Sequence, residues 1–158
     1  MATDIIIKPV KDSKINNVDF SNLPFGKVFS DHIFQCEYID GTWQNPTIKP
    51  NEPILLNPAA KIFHYGQSIF EGMKAYKDIH GEVFLFRPEE NCKRLNLSAK
   101  RLMMPEIPAE LFMDGLNKLL EIDSIGFLQQ KEVLYMFVLL CSLLVKGFMH
   151  HRQTPILL

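Results

Sequence analysis

At 158 residues, 47% hydrophobic and 22% charged, the chain carries enough apolar material for one globular domain with a core, which excludes a disordered chain. A net charge of −1 with scattered Lys and Arg excludes a basic nucleic-acid surface, so the expected partner is a small molecule. Cys36, Cys92 and Cys141 lack zinc-type spacing, and MATDIIIKPVKD lacks a basic-then-apolar signal, so a cytoplasmic protein with reduced thiols and no metal is expected.

In chain order, DHIFQCEYIDGTWQNPTIKP from Asp31 alternates as a strand does, with Asp40-Gly41 as a hairpin turn leading to Trp43. The proline-rich stretch Pro46 to Pro58 reads as an extended connection. GMKAYK and EVFLFR are β-like runs flanking His80-Gly81, which predicts a second hairpin. Pro88 at a first helical position, with Glu89 and Glu90 behind it, opens a helix carrying NCKRLNLSAKRL. Its inner face is expected to hold Leu95, Ala99 and Leu102, with Arg94 and Ser98 beside it. IPAELFMDGLNKLLEID spaces Leu111, Phe112, Leu116, Leu119 and Leu120 as a second amphipathic helix. Hairpins followed by helices predict an α+β domain, a mostly antiparallel sheet with two packed helices. The apolar run Val133 to Val145 stops at Lys146, short of the roughly 20 residues of a membrane helix. A buried helix or strand fits it better than an anchor, so no membrane is expected.

The chain shows no nucleophile elbow, phosphate-loop glycine pattern or paired-carboxylate motif. Aromatics are densest in FHYGQSIFEGMKAY, Phe63 to Tyr76, where Gly66 and Gly72 let backbone approach a ligand. An aromatic core with turn glycines accounts for the same pattern. Arg94 has a fork of donors suited to phosphate, but spacing alone favours a solvated helix arginine. His64 lacks a visible carboxylate partner, and nothing separates Lys74 from an exposed sheet lysine.

FGKVFSDHIF (Phe25 to Phe34), IFHYGQSIFEGMKAY (Ile62 to Tyr76) and LFRPEENCKRLNLSAKRLMMPEIP (Leu85 to Pro108) together resemble the N-terminal part of branched-chain amino-acid aminotransferases of fold type IV. The resemblance runs from about Val18 to Asp123. It implies pyridoxal 5'-phosphate as cofactor, with Arg94 of N-x-x-R on its phosphate. It also implies Tyr65, Phe70 and Phe25 around the branched side chain of the substrate. The reaction implied is transamination of leucine, isoleucine or valine with 2-oxoglutarate by an enzyme that is a homodimer when intact. Lys74 does not match the family's Schiff-base lysine, which lies in a C-terminal domain. The expected organisation is residues 1–123 as the small domain, 124–158 as an aberrant tail, and the cofactor-lysine domain absent, so the chain alone is expected to be inactive. The alternative is a non-catalytic small domain that pairs with an intact subunit or binds a small ligand.

Beyond Asp123 the text departs from the family. Back-translated with free choice of synonymous codons and read from the third base of each codon, Val133 to Leu139 yields T-L-Y-V-R-P. At the same offset Ser124 to Val133 yields Y-W-I-P-T-T-K-G-S, and Leu139 to Pro155 yields F-V-F-A-T-G-E-G-F-H-A-S-P-A-N-A. These are family motifs in order. Residues 124–158 are therefore expected to be out-of-frame translation after the loss of one base, or gain of two, near the codon of Asp123.

Overall fold

The computed structural model describes residues 4–19, 22, 26–78, 80–123, 135–145 and 153–157. The strands are β1 (Ile6–Ile7), β2 (His32–Ile39), β3 (Thr42–Pro50), β4 (Ser68–Lys77), β5 (Val83–Leu85), β6 (Tyr135–Val145) and β7 (Gln153–Leu157). The helices are α1 (Lys61–Tyr65), α2 (Pro88–Arg101) and α3 (Ala109–Asp123). The sheet runs β1-β3-β2-β7-β6-β4-β5. β1 lies parallel to β3, and the other described pairings are antiparallel, as the mostly antiparallel α+β reading expects.

Both expected hairpins form. Asp40 and Gly41 have φ of 49° and 85°, the double positive φ of a tight turn whose twist matches the strands it joins. Across this hairpin Tyr38 pairs with Trp43, their rings edge-to-face at 5.3 Å, and the indole Nε1 donates to the Glu106 carbonyl at 2.9 Å. The second hairpin joins β4 to β5, and Asp78 Oδ1 accepts from the backbone N–H of His80 and of Glu82 across its loop.

Three expectations are corrected. The extended connection from Pro46 begins later, because β3 continues to Pro50. Between the Gln35–Thr47 and Glu37–Gln44 pairs, Asn45 and Pro46 stand opposite the single residue Cys36, and Asn45 takes φ of 53°. That bulge places Pro46 where its missing N–H costs no regular ladder bond. The expected two helices become three with the five-residue α1, capped by left-handed Gly66 at φ 59°. Leu102 is 38% exposed because α2 ends at Arg101, and the helix buries Cys92, Leu95 and Ala99 instead. Of the two readings of the run ending at Val145, the strand is the one formed, with β6 paired along β4 from Ala75–Tyr135 to Ser68–Ser142.

The core lies between one sheet face and α2 and α3. β2 contributes Phe34 and Cys36, β4 contributes Ile69, Met73 and Ala75, and α3 contributes Leu111, Phe112, Leu116 and Leu120. Phe112 is 1% exposed, so truncating it to Ala removes about 3–5 kcal/mol. Gly115 lets α3 press against β2: a Cβ there would stand 2.7 Å from the Phe34 ring. Asn96 of α2 bridges the next loop, donating from Nδ2 to the Ile107 carbonyl at 2.9 Å and accepting the Ile107 N–H at 2.8 Å.

Candidate anion site on the second helix

β4 alternates strictly. Ile69, Glu71, Met73 and Ala75 are buried toward the helices, while Phe70, Gly72, Lys74 and Tyr76 are exposed. Glu71 is therefore a carboxylate on the inward register of an apolar strand, and a buried charge requires partners. Arg94, on the α2 surface, supplies them: Nε donates to Oε2 at 2.7 Å and Nη2 donates to Oε1. Oε1 also accepts from the Gly72 N–H at 2.9 Å and from Asn91 Nδ2 at 3.2 Å. Asn91 Nδ2 further reaches the Gly72 carbonyl at 3.2 Å, tying α2 to β4. The Glu71 side chain is 4% exposed and that of Arg94 is 67% exposed. Hydrogen bonds from Arg94 hold the Glu71 carboxyl below the usual carboxylate range, outweighing the upward push of burial. Glu71 in turn raises Arg94, which stays charged.

The sequence-predicted residues are placed as follows. Arg94 is exposed on α2, and among the described residues its Nη1 makes no hydrogen bond. Tyr65 ends α1, 78% exposed, edge-on to the His64 ring at a centroid distance of 6.4 Å. Phe70 is 73% exposed on the sheet face opposite Glu71, so Arg94 and Phe70 flank β4 from opposite sides. Phe25 lies outside the described residues. His64 is exposed and bonds the Pro58 carbonyl through Nε2, and Lys74 is exposed on the face of Phe70.

Sequence reasoning passed over two polar clusters. The first is Glu71 with Asn91, for which a charge on the inward register of an apolar strand was the available signal. The second is His32, 5% exposed, whose Nδ1 lies 2.6 Å from Asp123 Oδ1 and whose Nε2 accepts the Val10 N–H at 3.0 Å. Both imidazole nitrogens are occupied, so this pair is a clamp between the N-terminal arm, β2 and the end of α3. Its partners stand 91 residues apart, and no local spacing announces them. The described cysteines are structural. Burial pushes the Cys36 thiol up to about 11 while it donates to the Gln44 carbonyl, and burial raises Cys92. No group of metal-ligating side chains occurs among the described residues.

Chemically, the site is a fixed guanidinium with part of its donor edge open, which fits a phosphate group. No family model matches the chain. Its fold matches the crystal structure of the branched-chain amino acid aminotransferase of Thermobaculum terrenum in its PLP form. The TM-score is 0.56 at 17% identity, covering 80% of this chain and 39% of that one. The architecture is thus that of the N-terminal part of a fold-type-IV aminotransferase. In sequence, the chain is 45% identical over 107 residues to branched-chain-amino-acid transaminase 1 of Bacillus subtilis, covering 67% of this chain and 30% of that protein. It is 45% identical over 105 residues to the branched-chain-amino-acid aminotransferase of Mycolicibacterium smegmatis, covering 66% and 28%. Over this span the chain belongs to the branched-chain-amino-acid aminotransferase family. It spans about 30% of the length of these curated relatives.

Proposed function

We propose that residues 1–123 are the small domain of a cytoplasmic branched-chain-amino-acid aminotransferase, and that this chain by itself is catalytically silent. The observation that carries the reading is the 45% identity over 107 residues to the Bacillus subtilis transaminase. In the intact homodimer Arg94 binds the phosphate of pyridoxal 5'-phosphate, which the open edge of its guanidinium supports. When bound, that cofactor supplies the electron sink for transamination between a branched-chain amino acid and 2-oxoglutarate. Tyr65, Phe70 and Phe25 line the pocket for the aliphatic side chain and exclude water from it. Apolar walls of this kind discriminate by burying methyl groups, at about 1–3 kcal/mol for each. The family's Schiff-base lysine has no counterpart in residues 1–123, and residues 124–158 are out-of-frame text.

The test is direct. The purified chain, incubated with pyridoxal 5'-phosphate and dialysed, is expected to retain no cofactor absorption band and to show no turnover of leucine with 2-oxoglutarate. A band that survives dialysis, or measurable turnover, contradicts the reading.

A second reading, a non-catalytic domain that pairs with an intact subunit, is favoured by one feature. Phe70, Tyr76 and Phe84 share an exposed sheet face, with Phe84 directly across from Tyr76. Co-purification of the tagged chain with a full-length aminotransferase subunit separates it from the first.

A further inference from the structure

We propose that Glu71 is a positioning residue for the anion that Arg94 takes: it fills the side-on edge of the guanidinium and turns the remaining donors outward. This rests on the reading of Arg94 as a phosphate-binding residue and adds a partner that fixes its orientation. Arginine has five N–H donors in a rigid plane. Glu71 takes the Nε–H through Oε2 and one Nη2–H through Oε1. The other Nη2–H and both N–H groups of Nη1 then project away from the carboxylate.

The orientation is inherited from rigid parts. Glu71 sits on β4, its side chain is 4% exposed, and Oε1 is held by the Gly72 N–H and Asn91 Nδ2. A carboxylate fixed in this way fixes the plane of a side chain that is otherwise two-thirds exposed on a helix surface. An arriving tetrahedral anion therefore meets one preset edge, and the Nε–H is closed to it. Ion pairing alone would not need this arrangement, because the exposed pairs Lys93–Glu90 and Lys118–Glu121 lack a buried, multiply held carboxylate.

The experiment uses the full-length chain labelled with 15N, inorganic phosphate as the probe, and the Arg94 side-chain signals assigned by their loss in Arg94→Lys. In the wild type, the Nε–H signal is expected to exchange slowly with solvent and to stay unmoved by phosphate, while the Nη signals shift saturably. In Glu71→Gln, the Nε–H is expected to exchange at least about tenfold faster, the factor one charge-assisted hydrogen bond supplies, and to shift with phosphate as well. If phosphate shifts the Nη signals but Nε responds equally in wild type and variant, the positioning role is wrong and the phosphate-binding reading stands. If phosphate shifts no Arg94 signal in the wild type, the phosphate-binding reading fails and this inference fails with it. Should Glu71→Gln not fold, an acid titration of the wild type with sulfate, whose charge is constant, serves instead. Protonating Glu71 is expected to release the Nε–H and open it to the anion, and an Nε–H that stays protected overturns the inference.

Discussion

Glu71 makes a stability contribution whose pH dependence has a definite sign. Its folded value lies below its ordinary 4.5, so between the two the unfolded chain binds more protons and stability rises with pH. The contribution is complete above about 4.5 and is lost as pH falls through the lower folded value. Asp123 acts oppositely: burial foremost raises it above 3.8, so its contribution declines as pH climbs from there to the folded value. Urea unfolding across the acid range is expected to show a shallower rise with pH for Glu71→Gln than for wild type, and an unchanged slope would contradict the pairing. At Gly115 the issue is volume. Gly115→Ala drives a methyl into the Phe34 ring at 2.7 Å and is expected to destabilise by roughly 1–3 kcal/mol in denaturant melts, although alanine favours helix. Residue identities alone favoured a solvated helix arginine at Arg94 over a phosphate ligand. Its pairing with Glu71 arises from two elements meeting, which one-dimensional spacing does not record.

Elements with their own local chemistry were the most legible. Asp40-Gly41 dictates a tight turn, and Pro88-Glu89-Glu90 dictates a helix start, wherever they sit in a fold. Two boundaries were less legible. Pro46 reads as a strand breaker until the bulge opposite Cys36 is known, and that bulge depends on the register with β2. α1 is too short to show an apolar period. The turn between α2 and α3 depends on Asn96, whose amide substitutes for a backbone pairing with Ile107. Asn96→Ala leaves a part-buried N–H and C=O without this partner and is expected to cost about 1–3 kcal/mol, with faster hydrogen exchange at Ile107. Unchanged protection there would assign the turn to packing alone.

For the whole molecule, one sheet face is covered by α2 and α3, while the other presents Phe70, Tyr76 and Phe84 beside Lys74. Such a face in a chain that spans 30% of its relatives favours self-association. Sedimentation is expected to show concentration-dependent association that the double variant Phe70→Ser with Phe84→Ser reduces without loss of folded signal. The α+β class followed from the order of hairpins and helices, but the central place of β6 and β7 in the sheet did not. Tyr135–Val145 carries apolar text compatible with a strand or a helix, and its place in the sheet is set by pairing with β4 and β7, which local pattern does not record.

If residues 124–158 are out-of-frame translation of a family enzyme, the family text continues in the coding DNA beyond the codon of Asp123. The most direct measurement is resequencing of the coding DNA in the original strain, from the codon of Leu119 through about 60 codons past that of Leu158, a span chosen to reach well into a second domain. The expected result is that the frame beginning at the third base of each codon continues in family text through a downstream lysine motif. An additional base near Asp123 would place the break in the reading of the gene, and the printed frame would place it in the gene itself. A shifted frame without family text downstream would contradict the account and leave the tail as this protein's own.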